Sequence, residues 1–150
     1  MKKLFTGILF ILSIATENIA QISIENIPPK ANRIELITGL SFEENFSLVG
    51  KKLVENGFIL DQVQKDFGYI TTNPKDLSKM NLTLKLKFII EEKKVILSGD
   101  YNLRGLDSVF DVIQNRGMKG SPMKVAFEEF LKIALKIPYS EINFTVFTDL

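Results

Sequence analysis

The reactive side chains of this chain are carboxylates, hydroxyls, lysines and tyrosines, because its 150 residues include no Cys and no His. Without His there is no imidazole base, no Ser-His pair and no imidazole metal ligand. Without Cys there are no disulfides, zinc-thiolate sites, iron–sulfur clusters, thiol nucleophiles or cysteine-linked lipid anchor. Carboxylates acting in pairs are the chemistry that remains. Glu43-Glu44, Glu91-Glu92 and Glu128-Glu129 have the residue types for glycoside hydrolysis. Their sequence surroundings point instead to a helix start, a hairpin turn and an exposed helix face, where solvated charge is the rule.

Other site chemistry is missing. Asp61, Asp66 and Asp76 lack the tight spacing and the glycine of a calcium loop. The glycines form neither a phosphate-cradling loop nor a dinucleotide fingerprint. A hydroxyl nucleophile has no evident base. No catalytic residue, metal ligand or cofactor is therefore expected, and the leading expectation is a non-enzymatic binding or accessory domain. A carboxylate-dependent cell-envelope hydrolase is the alternative.

One stretch carries more apolar and basic residues than a connection needs. Between Asn102 and Gly120 lie Leu103, Leu106, Val109, Phe110, Val112, Ile113 and Met118, together with Arg104, Arg116 and three glycines. Arg104, Val109, Phe110, Val112 and Ile113 are the candidate partner-binding residues. Residues 108–115 are expected to form a short edge strand that accepts a protein or peptide by strand addition. The competing reading is that the segment only completes a sheet and leads to a helix.

The elements that must position these residues follow from periodicity. Residues 21–31, with Pro28-Pro29, predict an extended lead-in. Arg33–Thr38 alternates as a strand. Ser41 and Glu44 form a capping-box pattern, and Phe42, Phe46, Val49 and Leu53 then make an apolar helical stripe that ends at Gly57. Gly50 interrupts that helix, either for close packing on a sheet or as a tolerated blemish. Residues 58–63 and 69–72 predict a hairpin. From Met80 to Glu91, apolar and polar residues alternate with period two, and Val95, Leu97, Gly99 and Tyr101 share one face of the returning strand.

Ser121-Pro122 opens a second helix. Met123, Ala126, Phe127, Phe130, Ala134 and Ile137 line its apolar face. Lys124, Glu128, Lys132 and Lys136 form its solvated back, with a Glu128–Lys132 pair. Pro138 ends it, and residues 142–147 give a last strand or an extended tail. The order strand, helix, several strands, helix predicts an α+β domain: a single curved antiparallel sheet with two helices on one face.

Residues 1–20 read as a secretory leader. Lys2 and Lys3 precede the eleven-residue apolar run Leu4–Ile14, which is followed by a more polar tail ending at Ala20. The run is short for a membrane span, so cleavage before Gln21 and export to the periplasm or beyond are expected. A retained anchor is the alternative, because Asn18 occupies a position that favours a small residue. The mature chain would carry 17 basic and 17 acidic residues. That balance argues against nucleic acid or an anionic membrane as the main partner, and no stable membrane insertion is expected once the leader is gone.

The runs Asn32-Arg33-Ile34-Glu35-Leu36, Ser41-Phe42-Glu43-Glu44, Val54-Glu55-Asn56-Gly57-Phe58, Gly68-Tyr69-Ile70-Thr71-Thr72 and Ile96-Leu97-Ser98-Gly99-Asp100-Tyr101 resemble uncharacterised exported proteins of Bacteroidota. Gly117-Met118-Lys119-Gly120-Ser121-Pro122 and Ala126-Phe127 fit the same pattern. Residues 32–137 also resemble families with a TBP-like, helix-grip fold and, more distantly, domains of the outer-membrane assembly lipoprotein BamC. The resemblance implies a strand–helix–strands–helix domain and no catalytic residue. Unlike BamC, the chain has no cysteine for lipidation.

Overall fold

The alternating run after Asn81 forms the spine of the molecule. In a computed structural model, which describes residues 22–78, 80–104 and 109–148, it becomes β5 (Leu82–Glu91), followed by β6 (Lys94–Leu103). Met80 and Asn81 take left-handed backbone conformations, so the strand begins at Leu82 and not at Met80. The other elements are β1 (Arg33–Ile37), α1 (Phe42–Glu55), β2 (Leu60–Gln64), β3 (Tyr69–Thr72), β4 (Lys75–Asp76), β7 (Asp111–Val112), α2 (Pro122–Ala134) and β8 (Glu141–Thr145). The predicted leader, residues 1–20, and the start at Gln21 lie outside the described residues.

The strands make one open antiparallel sheet in the order β2-β3-β5-β6-β1-β8. β4 pairs with β5 beside β3, and β7 pairs with β6 beyond the end of β1. The expected α+β class, one sheet with two helices, is thus the observed one. Period two sorts β5 cleanly: Leu82, Leu84, Leu86, Phe88 and Ile90 point into the core. Val95, Leu97 and Tyr101 of β6 and Ile34 and Leu36 of β1 join them. Val49 and Leu53 of α1 and Ala126, Phe127, Phe130, Leu131 and Ala134 of α2 cover this face. The opposite face carries Glu35, Lys85, Lys87, Lys94 and Asp100, with a Lys87–Asp100 ion pair of 2.8 Å.

Several local expectations are corrected by packing. The lead-in is not extended: Ile24–Asn26 forms a short 3-10 turn, and Ile27 and Ala31 are buried in the core. The hairpin strand begins at Leu60 rather than residue 58. In α1 the wholly buried positions are Asn45, Val49 and Leu53, while Phe42 and Phe46 are half-buried with their rings tilted at 37° to each other. A Cβ on Gly50 would meet nothing within 4 Å, so this glycine is a blemish and not a packing device. The helical span of α2 ends at Ala134, four residues before Pro138, although Ile137 is still buried. Its surface pair is Glu129–Lys132 at 2.7 Å, in place of Glu128–Lys132.

Candidate functional site

The predicted edge is real, and it is shorter than expected. Gly99 on β6 admits it: a Cβ there would lie 2.9 Å from the Lys85 carbonyl oxygen and 3.0 Å from Ile113 Cδ1. Ile113 fills this space, fully buried, and its N–H donates to Gly99 O at 2.9 Å. Antiparallel register then pairs Val112 with Asp100 and Tyr101 with Asp111. Alternation turns Phe110 and Val112 to the uncovered sheet face, 38% and 42% exposed, and Val109 is 75% exposed. The strand is two residues long because the chain leaves it at once. Arg116 N–H bonds Gln114 O at 2.8 Å, and Asn115 N–H crosses to Ala31 O at 2.8 Å. Ser108, the first residue of the expected strand, lies outside the described residues.

Of the five predicted site residues, the structure brings Val109, Phe110 and Val112 together on an exposed edge. Ile113 serves the core. Arg104 turns away, its guanidinium pairing with Asp76 on β4, with Nε donating to Oδ1 at 3.1 Å. The edge is also partly blunted, since Asp111 Oδ1 accepts the Val112 N–H at 2.8 Å. Asn102 Nδ2 donates to Val109 O at 2.7 Å and holds the approach to the strand. Beneath it, Tyr101 is buried, which pushes its hydroxyl pKa up. The neighbouring Asp111 carboxylate reinforces the shift and the Arg116 charge opposes it.

The paired carboxylates have structural tasks. Glu44 accepts from the Ser41 N–H at 2.9 Å and the Ser41 hydroxyl at 2.8 Å, completing the capping box and lowering its pKa through the backbone bond first. Glu92 accepts from the Phe42 N–H at 3.0 Å, and Glu91 pairs with Lys94 at 2.9 Å. Glu43 and Glu44 border a wide, shallow depression with Leu40 and Leu48. As consecutive helical residues they point in different directions. Among the described residues no three acidic groups gather to hold a metal ion.

A second region escaped sequence reasoning. A cleft of about 370 Å³ is lined by Ile24, Glu25, Ile27, Pro29, Lys30, Asn115, Arg116, Gly117 and Lys124. Asn115, 8% exposed, is its hub. Its Nδ2 donates to Ile27 O at 2.8 Å and Pro28 O at 3.2 Å, and its Oδ1 accepts from Lys124 Nζ at 2.5 Å. Its carbonyl accepts from the Lys30 N–H at 2.8 Å. Lys124, expected on the solvated back of α2, is instead half-buried here. The one sequence signal was its place in the first turn of a helix whose first turn has no acidic residue.

Fold and edge together define a two-layer α+β domain, one of whose sheet faces is left open by the described residues. No family model matches the chain, and no curated protein matches it. Among the described residues no helix is long and apolar enough to cross a membrane.

Proposed function

We propose that this chain is an exported, non-enzymatic binding domain that engages a protein or peptide along the β7 edge. The observation that carries the reading is the set Val109, Phe110 and Val112, exposed on and just before β7, a strand that among the described residues pairs with β6 alone. Such a strand offers apolar side chains on one face and backbone groups along its rim. Kinship with exported helix-grip domains, suggested by residues 32–137, belongs to the same proposal. Export itself rests on the layout of residues 1–20.

The hydrolase reading has weaker support. Glu44 is engaged by both Ser41 cap bonds, which favour its charged form over the protonated acid such a reaction needs. Glu91 and Glu92 are engaged at the hairpin and the helix start.

Affinity capture from an envelope extract of the native host, comparing wild type with Phe110→Asp, tests the proposal. Phe110 is 38% exposed, so circular dichroism is used to check that the variant folds, and the folded variant should lose the captured species. Undiminished capture would overturn the assignment of the edge. Asp111→Ala separates two modes of contact. It frees the Val112 N–H, so capture should tighten if the partner adds as a strand and stay level if side chains alone make the contact. The protein recovered from that host should begin at or near Gln21; an intact mass that retains Met1–Ala20 would argue for an anchored form.

A further inference from the structure

The cleft around Asn115 collects more positive than negative charge. Lys30, Arg116 and Lys124 line it, against the single carboxylate of Glu25. They arrive from the lead-in, the loop after β7 and the first turn of α2. One buried residue joins the three segments: the Asn115 carbonyl accepts from the Lys30 backbone, its side chain accepts from the Lys124 ammonium, and Arg116 follows it in the chain. Ile24, Ile27 and Pro29 give the cleft an apolar wall.

Two of the cations sit where the fold would prefer another residue. Lys30 has a φ of 63°, a left-handed conformation that glycine adopts without strain. Lys124 stands in the first turn of α2, where the helix dipole disfavours positive charge, and that turn has no acidic residue to offset it. The first turn of α1, by contrast, carries Glu43 and Glu44. The bond the Lys124 ammonium makes is to a neutral amide oxygen. An anion in the cleft would offset the excess positive charge of its lining.

We propose that this cleft binds a phosphate-type dianion carried on a small apolar body. Three cationic lining residues against one acid suit a doubly charged group better than a carboxylate, and one arginine with two lysines is a residue set that phosphate oxygens favour. The volume falls in the range of small-molecule sites, about 300–1,000 Å³, which leaves room beyond the phosphate for a body against Ile24, Ile27 and Pro29. This goes beyond partner binding at β7 and does not depend on it.

Phenyl phosphate is a suitable probe, with benzoate and inorganic phosphate as controls, followed by amide chemical shifts of the isotopically labelled protein. Saturable shifts are expected at the Asn115 side-chain amide and the Gly117 N–H, tighter for phenyl phosphate than for either control and weaker at high salt. Lys30→Gly relaxes the left-handed backbone, so it should keep the thermal midpoint or raise it. Combined with Arg116→Gln it should weaken binding tenfold or more, whereas Lys65→Gln, on a distant exposed turn, should change nothing. No saturation by about 10 mM phenyl phosphate, weaker than any specific site, would overturn the proposal. So would equal binding by the double variant. Benzoate binding as tightly as phenyl phosphate would refute the dianion, and inorganic phosphate doing so would refute the apolar body. Phe110→Asp should bind the probe as wild type does, so the two proposals fail separately.

Discussion

Asn45 Nδ2 donates to the Glu91 carbonyl oxygen at 3.2 Å, joining the first turns of α1 to the β5–β6 hairpin across 46 positions of sequence. The same amide donates to Leu40 O at 3.3 Å, and its Oδ1 accepts from the Thr38 hydroxyl at 2.8 Å. A fully buried polar side chain is tolerated because each of its groups is paired. Asn45→Ala should cost about 2–3 kcal/mol, since it leaves buried acceptors and a hydroxyl unpaired. Asn45→Leu should not restore the loss. Urea denaturation reads both, and a change within about 0.5 kcal/mol, the scale of ordinary surface substitutions, would contradict this account.

Gly50→Ala should stabilise the protein. A Cβ there has open space, and the residue lies within α1 at an ordinary helical φ. Ala loses less backbone entropy than Gly on folding, a gain of about 0.5–1 kcal/mol. The denaturation midpoint should rise with its slope unchanged; a fall would mean that the helix needs the glycine for a contact made in another state.

Phe130 and Phe46 should separate by degree of burial. Phe130 is fully buried between α2 and the sheet, so Phe130→Ala should cost about 3–5 kcal/mol. Phe46 is partly buried against Phe42, ring centroids 5.8 Å apart, and its truncation should cost less, in step with the smaller apolar area it hides. Lys132→Ala, which breaks an exposed pair with Glu129, should stay within about 0.5 kcal/mol. Equal losses for the two phenylalanines would show that α1 is rotated from the position described.

Acid should weaken the start of α1. The Glu44 pKa is lowered in the folded state by the Ser41 bonds, from an ordinary value of 4.5. A depressed carboxylate contributes stability that is present above its unfolded pKa and is lost as pH falls through the folded one. Glu44→Gln should therefore lose stability near neutrality and show a flatter decline below about pH 4.5 than wild type. The opposite sign applies at Lys94, whose pKa is raised first by the Glu91 bond. Its contribution is present below the ordinary lysine value and disappears as pH rises through the raised one. Denaturation midpoints measured across both ranges check the two signs, and parallel pH curves for Glu44→Gln and wild type would remove the capping role.

What the chain shows without its fold is whatever a few neighbouring residues decide. The Ser41–Glu44 box, the period-two run of β5 and the Ser121-Pro122 start of α2 are local signals; both helix starts lie where the sequence places them, and the strand differs only in beginning at Leu82. They suffice for the α+β class, because amphipathic elements must cover one another. The exposed edge at Val109, Phe110 and Val112 was also legible, as an apolar segment amid glycines. Local pattern could not say how each element is rotated. Hydrophobicity favours Phe46 for the core, yet the hairpin carbonyl at Glu91 is met by Asn45. Nor could it bring Lys30, Arg116 and Lys124 to one cleft, or turn Arg104 from β7 towards Asp76. Those placements depend on long-range pairing: Asn115 crosses to Ala31 and Pro28, and Ile113 seats on Gly99. Periodicity acts within one element, whereas such contacts exist once the sheet has closed around them.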